Sequence, residues 1–469
     1  MRWEEIVEKY GLDVSIISFS ELNEETRFDA EYHRLEAIKY LKQIKSKSSK
    51  TLKDVAKFVV GPFGSTVTVD KYVDDSEYCD VRNLDIKSFE INQSDALIPQ
   101  VLYEKLKQFH IRQNDLLVTV VGTLGKVALA QEKDTKSIFS CKSTIVRSES
   151  IDPYFLATFL NSKVGQILLL RCKRGAIQEG LNLFDLKTLP VAIPSGSFQI
   201  KIKNLIIQAF ANSKESVNSY SQAKALLLSE LGLSDYIPNE ANISIRDLFE
   251  CLQDNRFDAE YWMPKYDEMM SKVTKFNKLG EIAQVKKGSL INPKYYSEYG
   301  IPYIRGGDFS ANELNDESMI RIASIFNRNN ETVLQENDIV FASIGSVGKT
   351  AIVTKNFANS FISNNIGKIH INIADFIPQY VQICLQSIIC QSQFQRLQTQ
   401  TAQPKILDSD IRKIKIPFLV KEKQLAISNF VVQSRELKAQ SKTLLEKAKR
   451  AVEIFIEQDE EKALEYLAS

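Results

Sequence analysis

The chain is poor in the residues on which small secreted domains and metal sites depend. Its six cysteines (Cys79, Cys141, Cys172, Cys251, Cys384 and Cys390) form no CxxC pair, and only three histidines occur in 469 residues. That argues against a disulfide framework and against a zinc site. No apolar run reaches the roughly 18 residues of a membrane span. The start, MRWEEIVEKYG, has acidic residues where a signal peptide needs an apolar stretch. The expectation is a reduced, cytoplasmic protein with no membrane partner. Net charge is scarce as well: 60 Lys and Arg face 59 Asp and Glu, leaving +1. No global field therefore advertises a nucleic-acid binder. Glycine and proline are missing from 199–231 and from 418 to the last residue, which leaves two long uninterrupted stretches. What remains is ordinary, with 44% hydrophobic and 25% charged residues, and the length predicts about two to four domains.

Charge is spread unevenly. Residues 351–450 hold 15 Lys and Arg against 6 Asp and Glu, and Lys39–Lys47 is basic too. Runs of this kind are mostly solvated surface, so alone they decide little.

The informative feature is repetition. Arg27-Phe28-Asp29-Ala30-Glu31-Tyr32 recurs letter for letter as Arg256-Phe257-Asp258-Ala259-Glu260-Tyr261. In the same order, YCDVRNLD (78–85) faces IPYIRGGD (301–308), pairing Arg82 with Arg305 and Asp85 with Asp308. NDLLVTVVGTLGK (114–126) faces NDIVFASIGSVGK (337–349), Pro194 faces Pro417, and KNLIIQ (203–208) faces SNFVVQ (428–433). A spacing that drifts by only a few residues over so long a stretch marks a tandem duplication. Each copy begins with a globular part rich in short β-type runs and ends in a helical part. The second helix carries Ile427, Phe430, Ser434, Leu437, Ser441, Leu444, Ala448, Ala451 and Phe455 at spacings of three and four, the seam of a coiled coil. The first presents Ile206, Phe210, Val217, Tyr220, Leu227 and Leu231, with Ser213 and Lys224 breaking the stripe. A helix of this length spans roughly 50 Å, and its obvious partner is the other copy. Gly232 and Ser234–Asn239 end the first helix.

Two globular repeats, a long helix after each, and small-residue loops together resemble the specificity subunit of type I restriction–modification enzymes. The loops are Gly61-Pro62-Phe63-Gly64-Ser65 and Lys287-Gly288-Ser289, with a G-[TS]-x-G-K element at Gly122–Lys126 and Gly345–Lys349. The resemblance covers nearly the whole chain. It implies an α+β fold: two tandem mixed α/β target recognition domains separated by long helices packed as an antiparallel coiled coil. The domains expected are 1–195 and 239–418, with helical segments at 196–238 and 419–469. It further implies a non-catalytic subunit that binds double-stranded DNA at a bipartite target and recruits two methylation subunits and restriction subunits. No cofactor is then expected in this chain; S-adenosylmethionine, ATP and magnesium belong to the partners. The second copy departs from the GPFGS loop, reading KKGSLINPKYY, as two domains reading different half-sites would require. Two alternatives are a recognition module of another defence or modification system and a non-catalytic scaffold that binds only proteins.

Competing chemistry is thin. Gly345-Ser346-Val347-Gly348-Lys349-Thr350 approaches a phosphate-cradling loop, but the position five before Gly348 is Ser343 rather than glycine. A strand–turn–strand connection explains the glycines better. Asp29 and Glu31, with Asp258 and Glu260, more often cap backbone amides than move protons. His33, His110 and His370 have no evident catalytic partner in sequence. No amino-methyltransferase tetrapeptide, N/D-P-P-[YF], is present.

Arginine reads guanine and amides read adenine in the major groove, while lysine and hydroxyls hold phosphate. By residue type and position, the DNA-contact candidates of the first repeat are Ser65, Thr66, Arg82, Asn83, Lys142, Arg171, Lys173, Arg174 and Gln178. Those of the second are Lys286, Lys287, Arg305, Lys349, Asn364, Asn365, Gln398, Gln400 and Gln403. Arg171–Gly175 is the densest basic cluster.

Overall fold

The computed structural model describes residue 27 and residues 29–469, apart from 176–178, 239–240, 242, 311–312, 317–318, 324–331 and 400–402. Gln178 and Gln400 therefore lie outside the described residues. The chain divides into two compact units, Met1–Asn212 with Ala439–Ser469, and Ser213–Lys438. The division falls inside both long helices, Gly196–Glu230 and Lys421–Glu457.

In the first unit, Ala56–Val60, Ser143–Ser148, Leu116–Thr119 and Val127–Leu129 lie side by side in that order as an antiparallel sheet. Leu116–Thr119 is buried along its whole length, which is why it reads as an unbroken apolar run. Cys79–Val81 pairs in parallel with Ser137–Phe139, and Ser49–Thr51 pairs with Pro190–Ala192. Helix Pro153–Asn161 starts cleanly, with proline at its first position and the Asp152 carboxylate accepting the Tyr154 and Phe155 amides. Its Phe155 and Phe159 close the core over Leu116, Val127 and Val146.

The second unit repeats the plan. Ala283–Lys287, Ile366–Ile371, Ile339–Ala342 and Thr350–Ile352 form the same antiparallel order, and Ile301–Ile304 pairs in parallel with Phe361–Ile362. Helices Pro378–Gln386 and Ile388–Leu397 take the places of Pro153–Asn161 and Lys163–Arg171. Even the left-handed residue before the central strand recurs, at Asn114 (φ 69°) and Asn337 (φ 68°). One detail of the sequence alignment shifts. The register sets Ala192 opposite Ser49 and Pro417 opposite Phe276, so Pro417 matches Ala192 rather than Pro194.

Within each unit the long helices run antiparallel. In the first, Phe198 lies on Phe455 with ring centres 5.6 Å apart, and the Ser441 hydroxyl donates to the Ala209 carbonyl at 2.7 Å. In the second, the hydroxyls of Ser216 and Ser434 each donate to the other's carbonyl at 2.7 Å, and Ser219 donates to Phe430 at 2.8 Å. The expected seam is thus apolar toward the helix ends and serine-lined between them. Small side chains let two backbones approach, and each buried hydroxyl must then find a facing carbonyl. Val217, expected in the stripe, is 65% exposed, while Ser216 and Ser219 occupy the inner face. Leu437 and Leu444 are half-buried. Among the described residues, no helix is long and apolar enough to cross a membrane.

Candidate nucleic-acid interface

The same four segments converge in each unit. The small-residue loop comes first, and its leading glycine is dictated by close packing. A Cβ on Gly61 would stand 2.4 Å from the Ser140 carbonyl, and one on Gly288 would stand 2.1 Å from that of Ile362. The second segment is a one-turn helix in which Asp85 accepts the Arg82 amide at 3.0 Å and Asp308 accepts that of Arg305 at 2.7 Å. The third is a hairpin whose glycines, Gly122, Gly125, Gly345 and Gly348, all have φ between 75° and 88°. These glycines turn one strand into the next, and no helix follows to cradle phosphate. The fourth is the entry to the next strand, Cys141–Lys142 and Asn364–Asn365.

In the first unit these segments enclose a cleft of about 570 Å³. It brings together the candidates Arg82, Asn83 and Lys142, with Ser65 and Thr66 on the adjoining loop. Lys142 is exposed; Arg82 is half-buried and ion-paired to Asp85 and Asp95. The same cleft is lined by residues that sequence reasoning passed over. Phe63 (87% exposed) and Leu84 stand at its surface, Cys141 is open to solvent, and Asp80 is buried. Burial pushes the Asp80 carboxyl up to about 6, although a hydrogen bond from Tyr72 and the nearby Arg82 charge oppose the rise. The only sequence signal for Asp80 was a charged residue opposite Tyr303 in the repeat alignment.

Arg171, Lys173 and Arg174 belong elsewhere. Lys173 and Arg174 line a second cleft of about 480 Å³, shared with Arg27, Asp29 and Glu31. Here the exact repeat finds its explanation. Arg27 forks onto Asp29, pairs with buried Asp185 at 3.0 Å, and donates to the carbonyls of Arg171 and Lys173 at a helix end. Arg256 does the same to Asp258 and to the carbonyls of Arg396, Leu397 and Gln398. Arg27 with Asp29, and Arg256 with Asp258, therefore form a latch that ties the entry of each repeat to the end of its last sheet-covering helix. The basic cluster is largely matched within the unit. Arg174 forks onto Asp185, Lys173 meets Glu31 and Glu179, and Arg171 stacks on Tyr32 at 3.4 Å.

In the second unit Lys349, Asn364, Asn365 and Gln403 come together. The Gly345 amide donates to Pro404 and the Ser343 amide to Asn365. Lys286 is exposed on the sheet edge, Lys287 pairs with Asp408 at 3.5 Å, Arg305 is half-exposed, and the Gln398 carbonyl serves the latch.

The histidines are engaged in structure. The His33 ring lies 2.8 Å from the Arg27 carbonyl, and His110 stacks on Tyr103. His370 does have a carboxylate partner, contrary to the sequence reading, because Asp338 lies 2.7 Å away and is shared with Lys368. Arg147 holds Asp115 in the corresponding place, so the arrangement is a buried ion pair common to both units. Among the described residues, no group of three His, Cys, Asp or Glu could hold a metal.

Fold and site together define a duplicated sheet-based module that presents clustered loops of differing sequence. Residues 271–448 match the family described as type I restriction modification DNA specificity domain. Over 106 residues the chain is 34% identical to the type I restriction enzyme EcoBI specificity subunit of Escherichia coli. That match spans 22% of this chain and 22% of the relative, so the chain is aligned to about a fifth of the relative's length. An S subunit of a type I restriction–modification system from M. genitalium is 14% identical, with 90% of this chain and 95% of that chain covered, at a TM-score of 0.39. An HsdS subunit from Thermoanaerobacter tengcongensis is also 14% identical, covering 88% and 95% of the two chains at a TM-score of 0.28. Overlays this loose leave the fold to the strand registers given above. Residues 271–448 are thus similar to a type I DNA specificity domain, and part of the chain is similar to a type I specificity subunit.

Proposed function

We propose that the chain is the sequence-recognition subunit of a type I restriction–modification complex. Residues 1–195 and 239–418 act as target recognition domains, and the helical segments 196–238 and 419–469 join them. Each recognition domain binds one half of a bipartite duplex target. Two methylation subunits and the restriction subunits assemble on the chain and bring S-adenosylmethionine, ATP and magnesium with them. The chain itself contributes recognition and no catalysis, in the cytoplasm. The observation that carries this reading is the strand-for-strand equivalence of the two units. It extends the DNA specificity match from the second repeat to the first, while the loops at equivalent places differ in side chain. Different readers on one scaffold are what an asymmetric two-part target requires.

The test is to map methylated sites in a cell that makes this chain with its methyltransferase, and again after exchanging residues 51–195 for those of a relative. A bipartite site that changes in one half alone is the expected result. A site that changes in both halves, or in neither, refutes two independent readers. A chain not retained on duplex DNA refutes DNA recognition and leaves a scaffold for proteins.

A further inference from the structure

The cleft of the first unit holds two acceptor atoms without a partner. Asp80 is 3% exposed; its Oδ2 accepts the Tyr72 hydroxyl at 3.1 Å, and its Oδ1 is buried with no hydrogen-bond partner. Asn83 is held by its amide nitrogen, which donates to the carbonyls of Val121 at 2.8 Å and Thr123 at 3.4 Å. Two carbonyls can be served only by the NH₂ group, so the orientation of this amide is fixed, and its Oδ1 is likewise buried and unpaired. Buried acceptors are costly to leave unpaired, and a site that keeps two of them is built for a ligand that brings donors.

The second unit lacks both. Tyr303 stands where Asp80 stands, and its hydroxyl is satisfied locally, donating to the Ser289 carbonyl at 2.8 Å. Gly306 replaces Asn83. The acceptor pair is therefore a property of one repeat and not of the scaffold.

We propose that this cleft reads the exocyclic amino group of one cytosine or adenine in the half-site bound by the first repeat, with Asp80 Oδ1 and Asn83 Oδ1 as the acceptors. The inference rests on the DNA-recognition reading above. In a paired base one N–H of that amino group serves the partner base and the other faces the groove, where the two oxygens can share it, whereas the keto oxygen of guanine or thymine would set acceptor against acceptor. The exposed Phe63 ring and the Leu84 side chain line the same cleft and supply apolar surface beside the base edge, and exposed Lys142 adds a cation suited to the DNA backbone. On one strand, one position of the target should accept A or C and reject G or T.

The experiment selects bound duplexes from a randomised library with the full chain, assembled with its methyltransferase partner, and repeats the selection with Asp80→Ala and Asn83→Ala. At one position of one half-site, the unaltered chain should enrich A or C on one strand, and both variants should lose that preference while keeping the rest of the site. Wild-type affinity is then measured on duplexes lacking only the amino group, with nebularine for adenine or pyrimidin-2-one for cytosine. Removal at the read position should weaken binding roughly tenfold to a hundredfold, and the base that responds separates an adenine from a cytosine target. Because this arm uses the unaltered chain, it decides the matter even if a variant fails to fold. An Asp80→Ala chain that selects the wild-type site unchanged, or analogues without effect at every A or C of that half-site, overturns the cleft as a reader and leaves DNA recognition standing. A wild-type chain that enriches no sequence overturns both.

Discussion

Replacing Asp80 by asparagine should make the first unit more stable at neutral pH. Burial lifts this carboxyl from 3.8 to about 6. The folded state then binds the proton more tightly than the unfolded chain. The stability this residue contributes is full below pH about 4, and it is lost as pH rises through about 6. At about 1.4 kcal/mol per pH unit, that rise comes to about 3 kcal/mol between pH 4 and pH 8. The value of about 6 already includes the groups that face Asp80: the Tyr72 hydroxyl and the Arg82 guanidinium lower it, and the Asp85 carboxylate raises it. An amide at this position cannot ionise, so the variant lacks the loss. Its melting temperature relative to wild type should climb as pH goes from 4 to 8. For a unit of this size the relative gain is about 6–12 °C, at 2–4 °C per kcal/mol. The assay is calorimetric melting of both chains at pH 4, 5, 6, 7 and 8, at one ionic strength. Parallel pH profiles would show that Asp80 titrates as an ordinary exposed carboxyl, and the reasoning from burial would fail.

Three further expectations follow from the packing. Arg27→Ala removes a buried guanidinium that holds Asp185 and two helix-end carbonyls; unfolding of the first unit should become easier by about 3 kcal/mol or more, read by denaturant titration. Ser434→Leu puts a large side chain where reciprocal serine bonds bring two helices together; the cost should be about 1–3 kcal/mol, and a neutral result would show that the helices are not in close contact there. Among the cysteines, Cys172 and Cys384 are pushed up to about 12 by burial, whereas Cys141 is exposed in the cleft. A maleimide should therefore modify Cys141 first, cognate duplex should slow that reaction, and equal rates with and without DNA would place the cleft away from the nucleic acid.

Much of this architecture was written in the order of residues alone. Letter-for-letter recurrence of RFDAEY, the aligned NDLLV and NDIVF runs, and two stretches free of glycine and proline determined a duplicated fold with a long helix closing each copy. Those are local and periodic signals, and chemistry of the backbone turns them into strands, turns and helices without reference to distant partners. The hairpin glycines were legible for the same reason, since a tight turn demands positive φ wherever it sits. The tertiary structure decided what depends on residues far apart in sequence. Arg171, Lys173 and Arg174 read as a bare basic cluster until folding brought Asp185, Glu31 and Tyr32 against them. Ser434 was one small residue in an apolar seam, and Ser216 carried no signal at all, until each met the other's carbonyl. His370 had no neighbour of note until the sheet set Asp338 beside it. Asp80 shows the limit most sharply: one carboxylate among many in the sequence, it becomes singular because the fold buries it, gives Tyr72 to one oxygen and leaves the other unpaired in a cleft. Burial and unmet hydrogen-bonding capacity are properties of a place, and a chain acquires places only when it folds.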